Sequence, residues 1–165
     1  MIKNQILIVM GVSGCGKSTI GKMLAHTLGV PFYDGDDYHS EKNVEKMSQG
    51  HPLNDDDRKS WLQTLNRLAK DNLNEGTVIC CSALKERYRA LLNHSIEQQM
   101  IFVYLDGTYE EIFERMQKRK DHFMPPGLLK SQFDTLEPPI DAIRVSIAKQ
   151  PKEITSEILS ILNKK

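Results

Sequence analysis

The residues that most restrict this chain are Gly11-Val12-Ser13-Gly14-Cys15-Gly16-Lys17-Ser18, which satisfy G-x-x-x-x-G-K-[ST] directly behind the apolar run Gln5–Met10. A continuous run of branched apolar residues bounded by glycine predicts a strand buried on both faces, as in a parallel sheet. Beyond the loop, Ile20, Met23, Leu24 and Leu28 recur at helical spacing and Gly29 supplies a stop, so a helix is expected over 17–28. Glycines permit backbone conformations in which successive N–H groups point inward at phosphate oxygens, and the helix start adds its positive dipole end. Lys17 can reach β- and γ-phosphates and the Ser18 hydroxyl can ligate Mg²⁺, with Thr19 beside them on the first turn. A buried strand before and a helix after separate a phosphate loop from a chance glycine-rich turn. The expected ligands are ATP and Mg²⁺.

The rest of the chain continues the alternation. Val30–Tyr33, Thr77–Cys81, Met100–Leu105 and Ala142–Ile147 read as further strands, and helices are expected across 38–75, 84–92, 109–120 and 152–162. Asn54 followed by Asp55, Asp56 and Asp57 is a helix start, with Trp61, Leu62, Leu65 and Leu68 on one face. Strands alternating with helices imply crossover connections, hence an α/β fold with a five-stranded parallel sheet covered on both faces. At 165 residues the chain suits one domain, with an acceptor-binding region about 37–75 and a lid about 121–139. The lid is expected from Met-Pro-Pro-Gly and Glu-Pro-Pro around a short helical piece.

Lys+Arg and Asp+Glu both number 22, a balance that argues against a surface coating nucleic acid or membrane. The cysteines, Cys15, Cys80 and Cys81, are odd in number with two adjacent, a poor disulfide framework. The N-terminal apolar run leads into the glycine loop and has neither a cleavage site nor the length of a membrane span, so a cytoplasmic location is expected.

The acids distinguish among phosphate-loop proteins. The strand at 77–81 ends in Ser82-Ala83, so it lacks the metal-holding acid of motor ATPases, and the base-reading N-K-x-D of switch GTPases is missing. Acids follow the second strand instead, at Asp34, Asp36 and Asp37. Ligands of open α/β sheets gather at the carboxyl ends of strands, so these acids should face the phosphate loop. One can hold a Mg²⁺-bound water and another can accept the proton of an attacking hydroxyl.

This layout resembles the small-molecule and nucleoside monophosphate kinases, and within them the gluconate kinase family. The resemblance is carried by Met10–Gly14, by Asp34-Gly35-Asp36-Asp37-Tyr38-His39 with Asn43, Lys46 and Met47, and by Gly50, Pro52-Leu53, Asp55, Asp57-Arg58 and Trp61-Leu62. It continues through Cys81–Lys85 with Tyr88-Arg89, then His122-Phe123-Met124, Leu128–Phe133 and Leu136-Glu137. It implies ATP:D-gluconate 6-phosphotransferase activity in a cytoplasmic, dimeric enzyme. Arg58 is then the first choice for the acceptor carboxylate, since a guanidinium offers two parallel donors. Lys85 and Arg89, one helical turn apart, would share a face at the acceptor, although a solvated face is an equal reading for Arg89. Asp36 is the candidate base and Asp34 the candidate metal acid, and these two roles are interchangeable at this level. His39, Asn43 and His122 are candidates for the acceptor side. Arg115 and Arg119 should project from one helix face toward the nucleotide, Arg119 as a catalytic cation, and Pro151 could pack on adenine. The competing readings are a kinase of another small acid such as shikimate, and a regulatory phosphate-loop NTPase.

Overall fold

A computed structural model of the protein describes residues 2–119 and 126–165. β1 (Ile6–Met10) is fully buried and sits at the centre of a five-stranded sheet of order β2-β3-β1-β4-β5. The other strands are β2 (Phe32–Asp34), β3 (Thr77–Cys80), β4 (Met100–Asp106) and β5 (Ile143–Ser146), and every pairing is parallel. Val9 lies opposite Cys80 and Val103, and Asp34 also lies opposite Cys80, so the ends of β1, β2 and β3 are brought level. The chain leaves β1 toward β2 on one side and crosses to β4 on the other. The loop after β1 therefore lies at the point where the strand order reverses, where doubly wound sheets bind ligands.

The helices are α1 (Lys17–Leu28), α2 (Glu41–Ser48), α3 (Asp55–Asp71), α4 (Glu86–Leu92), α5 (Tyr109–Lys118), α6 (Pro126–Thr135) and α7 (Pro151–Asn163). The acidic start of α3 is a full capping box: the Asn54 side chain accepts the Asp57 N–H while the Asp57 carboxylate accepts the Asn54 N–H. Two expected boundaries shift for local reasons. Val30 is not in β2, because its N–H donates to Ala25 O to close the C-terminus of α1 over left-handed Gly29, and Pro31 has no N–H to give. Leu84 is not in α4, since Ala83 has positive φ and Lys85 is the extended N-cap. The short helical piece expected between the two Pro-Pro pairs is α6, ten residues long with Leu128 and Leu129 buried.

Candidate active site

Two glycines shape the floor of the site. Gly16, the N-cap of α1, has φ of 97°, a left-handed conformation that costs other residues energy. A Cβ on Gly35 would overlap the carbonyl oxygen of Cys80, so only glycine lets the acidic turn after β2 pass over the end of β3. The loop between β1 and α1 is thereby brought beside Asp34. Ser18 Oγ donates to Asp34 Oδ2 at 3.0 Å, and the other Asp34 oxygen accepts the Asp36 N–H at 3.0 Å. Lys17 Nζ donates to Gly11 O and Val12 O at 3.0 and 2.9 Å. Burial pulls the Lys17 pKa down, but Cys15, Asp36, Cys80 and Cys81 together outweigh it and leave it raised, so the ammonium is kept charged.

Asp36 leads from the loop toward a second region. Its carboxylate lies 4.0 Å from His39 Nε2 on a largely exposed side chain. The His39 ring is stacked on Trp61, with centroids 3.9 Å apart, and Trp61 Nε1 donates to Gly35 O at 2.8 Å. Burial first, and then the positive Arg58, lower the His39 pKa to about 4, so the imidazole is neutral at pH 7. Its Nδ1 is buried and has no hydrogen-bond partner among the described residues, an uncommon state for such an atom.

Beyond His39 the cations gather. Arg58 Nη1 donates to the Tyr88 hydroxyl at 2.9 Å and its guanidinium lies over the Tyr88 ring. Tyr88 in turn donates to Asp55, which also accepts from Arg87 at 2.5 Å and Lys85 at 3.1 Å. The hydrogen bond from Tyr88, followed by those from Arg87 and Lys85, holds the Asp55 carboxyl well below the usual range. Arg58, Lys85, Arg87 and Asp55 line an open cleft of about 540 Å³, with Thr135 of α6 at its edge.

Other candidates lie elsewhere. Asn43 is buried, and its amide donates to Asp57 O at 2.8 Å while Lys46 pairs with the Asp57 carboxylate at 2.7 Å, so both brace α2 against the start of α3. Arg89 does not share a face with Lys85, because Lys85 is extended and outside the helix. The Arg89 guanidinium is buried and donates to Ala83 O at 2.7 Å and Glu137 O at 2.9 Å, and burial lowers its pKa. Arg115 donates to Ile147 O, on the loop before α7. Arg119 is the extended C-cap of α5 and exposed, so the common face expected for these two arginines is broken where the helix ends. Pro151 takes the first turn of α7, where a missing N–H costs nothing, and is exposed. Thr19 is exposed on the first turn of α1. His122 lies with the rest of residues 120–125, the start of the expected lid among them, outside the described residues. Sequence reasoning gave no role to Asp55, Tyr88 or Gln132, although Gln132 Oε1 accepts the Ser13 N–H of the phosphate loop at 2.6 Å. Only their place in the family motifs marked them.

A phosphate loop at the switch point of a parallel sheet, with an acid from the next strand on its serine, defines the class of P-loop small-molecule kinases. The shikimate kinase family model (SKI) matches residues 13–162. The chain is 46% identical over 159 residues to the thermosensitive gluconokinase of Escherichia coli K12, covering 93% of this chain and 84% of that one. It is 44% identical to a probable gluconokinase of Mus musculus, covering 95% and 97%. The crystal structure of a gluconokinase from Sinorhizobium meliloti 1021 superposes with a TM-score of 0.89 at 42% identity, over 98% of this chain and 93% of that one. The chain belongs to the gluconokinase family.

Proposed function

We propose that the chain transfers the γ-phosphoryl group of ATP to the 6-hydroxyl of D-gluconate. The observation that carries this is a continuous line of groups: Lys17 and Ser18 at the loop, Asp36 and His39 beyond them, then Arg58, Tyr88, Lys85 and Arg87. Such a line suits an acceptor with a carboxylate at one end and a primary hydroxyl at the other. Arg58, Lys85 and Arg87 receive the carboxylate. Asp36 accepts the proton of the attacking hydroxyl, while neutral His39 offers Nε2, on the side of Asp36, to the hydroxyls between.

Loop amides and Lys17 neutralise charge as the phosphoryl group moves, which is the main catalytic demand of this transfer. Asp34 and Ser18 are two adjacent oxygen donors, a set that fits Mg²⁺, an ion that keeps several waters and takes few protein ligands. A Mg²⁺ held by these two oxygens would supply further charge neutralisation to the transfer. Arg119 supplies positive charge to the transferring group, and Arg115, anchored on Ile147 O, borders with Pro151 the side for adenine. His122 remains assigned to the acceptor side on the family motif. A cytoplasmic homodimer is part of this proposal, with sedimentation velocity as the measure of the dimer. Among the described residues no helix is long and apolar enough to cross a membrane.

The test is an ADP-release assay with Mg·ATP and a panel of gluconate, other aldonates, shikimate, AMP and no acceptor. Gluconate is expected to give the highest kcat/KM. Turnover with shikimate and not gluconate would overturn the acceptor assignment, and turnover that no acceptor raises would overturn the kinase.

A further inference from the structure

Gln132 occupies a place in the phosphate loop that a ligand must take. The Ser13 N–H can only donate, so the Gln132 amide oxygen faces it, at 2.6 Å, and the amide NH₂ faces away. An oxygen held by a loop amide is in the situation of a phosphate oxygen. The position belongs to the β/γ end of the loop. Lys17 Nζ, which reaches those phosphates, rests on the carbonyls of Gly11 and Val12, the residues directly before Ser13.

Gln132 reaches the loop from a helix fixed at several other points. Leu129 is in the core and Phe133 packs edge-on against Tyr109, with ring centroids 5.6 Å apart. Just past the helix, the Glu137 N–H donates to Leu84 O at 2.7 Å and Arg89 holds Glu137 O. Thr135, three residues from Gln132, lines the cleft with Arg58, Lys85 and Arg87. One helix therefore touches the phosphate loop and borders the cleft assigned to the acceptor.

We propose that Gln132 is a positioning residue that reports the γ-phosphoryl group to the acceptor cleft through α6. Its amide oxygen holds the Ser13 N–H in the nucleotide-free protein, is displaced by the γ-phosphoryl group of ATP, and is replaced there by the amide NH₂ as donor. Glutamine suits this because one head group carries both an acceptor and two donors, where glutamate has no donor and methionine has only a weak sulfur acceptor. The inference rests on the kinase reading but not on the identity of the acceptor.

The test is calorimetric titration of the full chain with a non-hydrolysable ATP analogue and with ADP, both with Mg²⁺, for wild type, Gln132→Glu and Gln132→Met. Gln132→Glu places a fixed negative charge against the γ-phosphoryl group. It should bind the ATP analogue about tenfold more weakly, or ~1.4 kcal/mol, and ADP within about twofold of wild type. Gln132→Met breaks no contact on binding, so its affinity for the analogue should equal or exceed that of wild type. Its kcat, with whichever acceptor the wild type turns over, should fall about tenfold without a rise in the KM for ATP. Equal weakening of ADP and analogue by glutamate, weakening of neither, or an unchanged kcat in the methionine variant would overturn the proposal. Thermal unfolding of each variant separates a folding defect from a binding one, and the methionine variant decides the matter if the glutamate variant does not fold. A wild type that binds neither nucleotide would remove the kinase reading itself.

Discussion

Asp34 and Asp36 stand two residues apart on one turn yet meet different surroundings. Asp34 has one oxygen on the Ser18 hydroxyl and the other on the Asp36 N–H, so both are committed to holding the turn against the loop. Asp36 extends toward His39 and contributes to the raised Lys17 pKa from across the site. The first arrangement suits a metal acid and the second a base. Replacing Asp36 by asparagine is expected to lower kcat by about 100-fold or more, the usual scale of general-base loss, with ATP-analogue affinity within about twofold. Measured by steady-state kinetics beside equilibrium binding, an equal loss of nucleotide affinity would instead put Asp36 on the metal.

At the scale of elements, α4 and the segment after α6 are joined by Arg89, whose two backbone acceptors belong to Ala83 and Glu137. Arg89→Met leaves both carbonyls without that partner, a change that costs about 1–3 kcal/mol and lowers Tm by roughly 3–10 °C in a chain this size. The KM for gluconate should stay within about twofold, and an unchanged Tm with a much larger KM would return Arg89 to the acceptor side. This residue also marks the limit of what the sequence disclosed. Strand β1, the phosphate loop, α1 and the cap at Asn54 were legible because their signals are local: apolar runs, glycines and capping residues within a few positions. Lys85 and Arg89 misled because helical spacing was assumed for a residue that the positive φ of Ala83 keeps outside the helix. The links from Tyr88 to Asp55, 33 residues apart, and from Ser13 to Gln132, 119 apart, are made by the crossovers of the sheet and leave no periodic trace.

For the whole molecule, the buried His39 couples the site to global stability. Its pKa falls from 6.5 to about 4 on folding, so between those values the unfolded chain binds more protons than the folded one. This contribution is fully present above pH 6.5 and is lost as pH falls toward 4, to a total on the order of 3 kcal/mol. Denaturant unfolding from pH 7 to 4 should show that slope in the wild type and a flatter one in His39→Phe, which keeps a ring on Trp61. Equal slopes would mean that folding does not lower the His39 pKa.

The three thiols have a consequence for oxidative stress. Cys15 lies within the phosphate loop, and Cys80 and Cys81 lie at the end of the neighbouring strand, all free and buried. Burial pushes the Cys81 thiol up to about 12 and raises Cys80 as well, so neither supplies the thiolate that peroxide attacks. Cys80 and Cys81 are therefore chemically quiet, and both are expected to stay reduced through peroxide exposures that oxidise an ionised cysteine.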